Sequence, residues 1–346
     1  NTITGVTFAA RNPGSWGNGI RVATIDGLAD QIIGINTAGI GFNTTTAIPS
    51  GMVGLGVTQT IPLGTTVIGA GTTSSLDGYL KGIITQELGD DKFGVKVVSH
   101  VAADGTETAV DYSESGIYRF KTGFNVGGGT TDVDTGSIGI ITATTGTNTT
   151  IGFAGTIASA IDWFSEQTLT LTGAGSTITW GSIVDRPGTS SYAVARNSRF
   201  DEIHVVVIDG AGEVTGNAGT ILEKHVSISK AKDAEYSVGS TAYWRKYLYN
   251  TSRNVFGGSQ PSGVVATNFS SGFTVDADVA WDQNAEGVAF GGSGSNTYTL
   301  SGGVNYQGGT SLTASGALTA TLGEISAGYQ LFENTENFEI DFLLMG

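Results

Sequence analysis

The clearest pattern of apolar and polar positions lies between Asp201 and Phe256. His204 to Ile208 is a β-branched run, and Asp209 to Glu213 supplies a Gly-rich turn. Ile221, Glu223 and His225 then alternate with Leu222, Lys224 and Val226. That period of two predicts an antiparallel hairpin. Ser240 is placed to cap a short helix in which Tyr243/Tyr247 and Trp244/Leu248 are i, i+4 pairs, with Asn250 closing it before Val255 and Phe256. The unit reads strand, strand, helix, strand.

Ahead of this unit the pattern is more broken. Ile3, Val6 and Phe8 open the chain, and ARNPGSWGNG forms a tight loop before a strand at Ile20 to Ile25. Pro13 fixes φ there, Gly14, Gly17 and Gly19 permit turns that a side chain blocks, and Trp16 packs over the loop. Arg11 and Arg21 read as solvated or locally paired, with a binding loop as the alternative. From Gln31 to Ala160 the residues turn to Gly, Thr, Ser and small aliphatics. Within that block Phe93–Ala103 and Thr106–Tyr112 flank Asp104-Gly105, which predicts a two-residue type I′ hairpin, with Ile117–Phe120 as a third strand. Gly127–Thr150 reads as turns and short edges. Ile157, Ile161 and Phe164 predict an amphipathic helix over Thr156–Glu166, with Asp162 and Glu166 outward.

Strands are expected at Thr168–Thr172 and Thr177–Val184, followed by a Pro-Gly turn within Asp185–Phe200. After the hairpin unit, Gly257–Gly294 reads as loop and Tyr298–Gly303 as a short strand. Leu322, Ile325, Tyr329 and Phe332 mark one face of a helix, and Phe338–Met345 an apolar strand. Helix followed by apolar strand is the start of an α/β unit.

Composition narrows the classes. A chain of 346 residues has room for two or three cores. Its 54 glycines and 14% charged residues hint at low complexity, but 39% hydrophobic with 15 Phe, 11 Tyr and 5 Trp is enough to fold. A net charge of −15, with no Lys/Arg cluster, argues against a nucleic-acid partner. Without cysteine there are no disulfides, no thiolate chemistry and no Cys-based zinc site. No apolar run long enough to span a membrane and no leader are read, so no membrane insertion is expected. The chain starts without Met and stops directly after Phe338–Met345, which leads to the expectation of an excised fragment.

Enzyme constellations are not found. His100, His204 and His225 lack i, i+4 partners, and neither a nucleophile elbow nor a P-loop occurs. Gly210-Ala211-Gly212 has Thr215 where a dinucleotide fingerprint needs glycine. Adjacent carboxylates, as at Asp90/Asp91 and Asp201/Glu202, point to opposite faces of a strand and do not flank one bond. Asp132-Val133-Asp134-Thr135-Gly136 matches only half of a calcium loop, and Asp276, Asp278, Asp282 and Glu286 read as a solvated loop, with cation binding as the alternative. No catalytic residue, cofactor or metal is assigned.

Three stretches resemble one family, the tail sheath proteins of contractile-tailed bacteriophages of the large-myovirus type. The first is FAARNPGSWGNGIRVATID, with Arg11, Pro13, Gly14 and Gly17. The second runs from IDWFSEQTLTL to YWRKYLYNTS, with Asp162 and Trp163, the Arg186-Pro187-Gly188-Thr189-Ser190 turn, Asp201-Glu202 leading into an apolar strand, and Asp209 at its end. The third is YTLSGG with the closing helix and FEIDFLLMG. The resemblance covers roughly half the chain, and the block from Gln31 to Ala160 matches nothing in it.

The resemblance implies an α+β, mostly β fold. Residues 1–30 and 161–300 form a mixed α/β sheath core, 31–160 an inserted, variable β-sandwich or barrel-like domain, and 301–346 the start of a C-terminal domain cut short. It also implies a structural virion protein and not an enzyme. The subunit polymerises helically around an inner tube and contracts to drive that tube through the host envelope. Its partners are other sheath subunits, the inner tail tube protein, the baseplate and the tail terminator. Its location is the phage tail, after assembly in the host cytoplasm. The family links neighbours through N- and C-terminal arms, so the expectation for this chain is a monomer in dilute solution, with light scattering as the check. The alternative is a virion-surface adhesin whose inserted domain binds host glycans. That reading asks for an exposed aromatic platform drawn from Tyr79, Phe93, Tyr112, Tyr118 and Phe120.

Overall fold

Apolar positions at a period of two decide the architecture of the computed structural model, which describes residues 3, 5–12, 14–36, 51–65, 76–89, 92–114, 116–124, 134–135, 137–145, 148–265, 281–305 and 322–330. The strands are β1 (Phe8–Ala10), β2 (Ile20–Asp26), β3 (Gln31–Asn36), β4 (Gly56–Thr65), β5 (Leu76–Glu87), β6 (Lys92–Val101), β7 (Glu107–Ala109), β8 (Gly123–Phe124), β9 (Asp134–Thr135), β10 (Ser137–Thr145) and β11 (Asn148–Asp162). There follow β12 (Thr168–Thr170), β13 (Thr177–Thr179), β14 (Glu202–Asp209), β15 (Thr220–Ser229), β16 (Glu235–Ser237), β17 (Ser240–Thr241), β18 (Val255–Gly257) and β19 (Asn296–Thr299). The helices are α1 (Ser191–Val194), α2 (Trp244–Thr251) and α3 (Leu322–Gln330). The fold is α+β and mostly β, with a closed six-stranded barrel. None of the described helices is long and apolar enough to cross a membrane.

The barrel is antiparallel throughout, in the order β3-β11-β10-β4-β5-β6, and closes where β6 pairs with β3. Closure removes the strand edges that an open sheet must protect. Alternate residues fill it: Ile33 and Ile35, Val57 and Ile61, Leu80 and Ile84, Val95 and Val97, Ile138 and Ile140. β7 is outside the ring, paired to the far half of β6.

Two glutamines occupy inward positions in this alternation, Gln31 on β3 and Gln59 on β4, and both are buried. In the ring of six these strands stand opposite each other. Gln31 accepts from the Phe120 N–H at 2.8 Å and donates to its carbonyl at 3.0 Å. Gln59 treats Lys121 in the same way, at 2.9 and 2.7 Å. In extended backbone, successive residues direct their peptide groups to opposite sides. Phe120-Lys121 is therefore a bar held across the lumen from two walls, each amide standing in for a neighbouring strand. Gly82 makes room for it, because a Cβ there would come within 2.9 Å of the Phe120 ring.

The second body is a four-stranded antiparallel sheet, β15-β14-β2-β19. Both of its faces are covered, which explains why β14 reads as a continuous apolar run. Ile203, Val205 and Val207 face a core with Phe8, Trp244, Leu248 and Trp281. Val206 and Ile208 face Trp163, Phe164, Leu169 and Trp180. Helix α2 buries Trp244 and Leu248, the expected i, i+4 pair. The barrel leaves this body between β2 and β12 through adjacent ends, since Gln31 and Asp162 are register partners and the Trp163 N–H donates to the Asp30 carbonyl at 3.0 Å.

Several expectations are corrected. Thr156–Glu166 is not a helix: it is the end of β11 and a short 3-10 turn at Phe164–Glu166, because β11 must pair with both β10 and β3 to close the barrel. Gly127–Thr150 contains much of the long β10–β11 hairpin. Ile117–Phe120 forms bends and the lumen bar, since its backbone is paired by glutamine side chains. The Asp104-Gly105 hairpin exists, but with a three-residue loop: Gly105 N–H donates to Ala102 O at 2.9 Å, and Gly105 itself takes φ 87. Ser240 is in β17, and α2 starts after Tyr243 with no side-chain cap. Asn250 lies inside α2, which ends at Thr251. The second strand of the β12–β13 pair stops at Thr179 and turns at Trp180–Ser182, burying the indole. The strand expected at Tyr298–Gly303 is displaced to Asn296–Thr299, where it pairs with β2. Pro13, Asp90, Asp91, Asp132, Val133, Gly136, Asp276, Asp278, Phe332 and Phe338–Met345 lie outside the described residues.

Candidate functional site at the junction of barrel and sheet

The residues singled out in the sequence fall into three places. Around the Pro-Gly turn they meet. Arg186 pairs with Asp162, and Asp162 also accepts from Ser165 N–H at 3.0 Å and Tyr112 Oη at 3.3 Å. Trp163 donates its indole N–H to Gln86 on β5 at 3.0 Å. Pro187 is buried. Gly188 N–H donates to Glu202 Oε2 at 2.8 Å, and Thr189 Oγ1 accepts from Phe200 N–H at 3.0 Å. Asp201 accepts from the Ser190 N–H at 2.8 Å, its hydroxyl at 2.7 Å and the Ser229 hydroxyl at 2.5 Å. The turn is thus bonded to both bodies. Burial raises the Glu202 carboxyl above its usual range, against the lowering effect of the Gly188 N–H.

The other two groups lie apart. Asp209, at the end of β14, gathers the loop after it by accepting from the N–H groups of Gly212, Val214 and Thr215 and from the Thr215 hydroxyl. Burial opposes ionisation there, but these bonds outweigh it and lower the carboxyl's pKa. Arg11 donates to the carbonyls of Tyr249 and Ser252 at 2.9 and 2.7 Å and lies over the Phe256 ring at 4.7 Å. This is the local pairing expected of it, at the carbonyl end of α2. Gly14 has φ 138, and a Cβ there would meet Trp16 at 2.6 Å; Gly17 is buried against Ala10.

The junction is completed by charges that the sequence reading passed over. Asp26 and Lys230 are fully buried, with Nζ 3.2 Å from the carboxylate. Asp26 also accepts from Ser293 and Gly294 N–H, and Lys230 donates to Gly291 O at 2.9 Å. Lys96, from the barrel, donates to Gly27 O at 2.5 Å, lies 3.6 Å from Asp30, and stands 3.8 Å over the Phe200 ring. Burial lowers the Lys96 pKa, and Asp30 partly offsets it. Arg199 donates to the carbonyls of Val98 and Val110 and pairs with Asp111, tying the second body to β6 and the chain after β7. Their one signal in the sequence is a cation inside an apolar run, as in GVKVV.

The histidines are hydrogen-bonded within the fold. His204 is buried, accepts from Ser227 N–H through Nδ1 at 2.9 Å, and so donates from Nε2 to Asp185 O at 2.9 Å. Burial lowers its pKa. His225 pairs with Glu223 at 2.9 Å. No group of three or more metal-ligating side chains occurs among the described residues. Ion pairs and turn bonds thus run between the two bodies across this junction. No protein-family model, no curated protein and no solved structure matches the chain.

Proposed function

We propose that the chain is a structural subunit of a contractile phage tail sheath, with the barrel inserted into the body that the family-like stretches build. The observation that carries this reading is the way the family-like stretches fold together. Residues of the first stretch supply β1 and β2, those of the second β12 to β15 and α2, and YTLSGG reaches into β19. Though far apart in sequence, β2, β14, β15 and β19 form one sheet. The unmatched block supplies the barrel and leaves that sheet through two adjacent chain ends. A self-closed body on paired ends is what an insertion needs if its host fold is to stay intact.

In this reading the partners are neighbouring sheath subunits, the tube, the baseplate and the tail terminator. Electron microscopy of the complete gene product, expressed alone, tests it. Striated tubes or helical polymers are expected, and dispersed particles under all salt and protein concentrations overturn it. The adhesin alternative finds little among its aromatics: Phe93 and Phe120 are in the barrel core, Tyr112 lies under Arg186, Tyr118 packs beside His100, and Tyr79 is the one exposed ring of the five.

A further inference from the structure

The chain carries 31 carboxylates against 16 Lys and Arg, so a cationic surface on it is an exception. One lies on the solvent side of α2. Lys246, Tyr249, Asn250 and Arg253 recur at i, i+3, i+4 and i+7, and all are exposed. Between Thr241 and Phe256 there are three cations and no carboxylate. Arg245 is held by Asp282 at 2.9 Å, whereas the Lys246 and Arg253 side chains form no salt bridge among the described residues, the Glu223 carboxylate at this end of α2 being taken up by the Arg253 N–H, Ser252, Asn254 and His225. Arg11 adds a third positive group, bonded to two carbonyls and lying over the Phe256 ring. At the centre Tyr249, 50% exposed, is stacked on Phe256 with ring centroids 5.6 Å apart. A rigid aromatic ring among cations is the composition of a recognition surface, since it offers area at little cost in side-chain freedom.

The complementary surface is on the barrel. Between Ala102 and Glu114 there are four carboxylates and no cation: Asp104, Glu107, Asp111 and Glu114, all exposed. They flank β7, which pairs only with β6 among the described residues. Asp111 and Glu107 are tied to Arg199 and Lys81 yet remain 72% and 44% exposed, and Asp104 bonds only within its own turn. We propose that the cationic face of α2 docks on the acidic β7 rim of a second copy of this chain. The two patches belong to different bodies of the molecule, so the contact is head-to-tail. A contact of that kind propagates into rings or helices instead of closing as a dimer. Charge complementarity of this kind steers encounter and fixes register more than it adds affinity.

The proposal rests on the sheath reading and names one of its subunit contacts. The test uses tubes of the complete gene product under the electron microscope, with circular dichroism to confirm folding. Lys246→Glu with Arg253→Glu, and separately Asp104→Lys with Glu114→Lys, are each expected to abolish tubes, and both pairs together in one chain to restore them. The milder Lys246→Gln with Arg253→Gln is expected to raise the protein concentration needed for assembly. Normal tubes from the folded single-pair variants overturn the contact, as does failure of the combined chain to recover. Should the reversed α2 variant assemble normally but lose retention on a polyanion resin, the face belongs to an anionic polymer and the proposal is wrong. Absence of tubes from the unaltered protein is a different failure, because it removes the sheath reading itself.

Discussion

Single side chains stand in for backbone at several points. Gln59→Leu keeps the volume but removes the two bonds that the side chain makes to the N–H and C=O of Lys121 inside the barrel, at about 1–3 kcal/mol for each. Urea unfolding is expected to show that loss, and amide exchange at Lys121 is expected to accelerate before the rest of the barrel. Ser227 is a second such point: it takes φ 50 at the bulge between Ile203 and Val205, held by the His204 ring. Because the folded pKa of His204 is depressed below its ordinary 6.5, its stabilising effect is complete above that pH and declines as pH falls through 6.5. His204→Asn is expected to flatten the urea midpoint against pH in that window; an unchanged slope contradicts the assignment. Glu223 works at lower pH. Burial alone would raise its pKa, but bonds from His225, Ser252 and Arg253 carry it from 4.5 down to about 2. Its contribution is present above pH 4.5 and lost as pH falls from there toward 2. A Glu223→Gln chain is expected to lose less stability than the parent across that acid range.

Elements differ in how far their causes lie from their own residues. The β14–β15 hairpin was legible because β-branched residues, a Gly-rich turn and an alternating return strand are all local signals. The spacing of Trp244 and Leu248 identified α2 for the same reason, although its start was misread because Ser240 was drawn into a bridge with Ser237. β11 was not legible. Ile157 and Ile161 suit a helix face as well as a strand, and only pairing with β3, more than a hundred residues earlier, decides between them. The junction was half legible: the Arg186–Ser190 turn and Asp201-Glu202 stood out and do meet, whereas Asp26, Lys96 and Lys230 looked like interruptions in strands. Gln31 and Gln59 looked the same way, and a polar residue at an inward position of an alternating strand is the signal that could have exposed them. Helix α2 offers the direct test at this scale. Trp244→Ala removes a ring packed edge-on against Trp281 at 5.5 Å and is expected to cost about 3–5 kcal/mol in urea unfolding, far more than Tyr249→Ala on the exposed side.

At the scale of the molecule, two bodies with separate cores are joined by buried charge. Within the sheet body beside this junction, breaking the Asp26–Lys230 pair from one side is expected to cost about 3–5 kcal/mol, since it strands a charge; replacing both with Leu and Met removes the stranded charge but leaves the Ser293 and Gly294 N–H and the Gly291 carbonyl without those partners, so only part of the loss is recovered. The junction fixes how the barrel sits on the sheet, and in the sheath reading it holds the barrel, with its β7 rim, rigidly on the assembling subunit. Barrel deletion tests that directly, because Asp30 and Trp163 are already hydrogen-bonded neighbours that a short Gly-Ser link can join. The measurement is electron microscopy of the complete gene product with and without residues 31–162. The account expects tubes from the intact protein and dispersed particles from the folded barrel-less chain, which lacks the acidic β7 rim. Dispersed particles from the intact protein, or normal tubes from the barrel-less chain, contradict it.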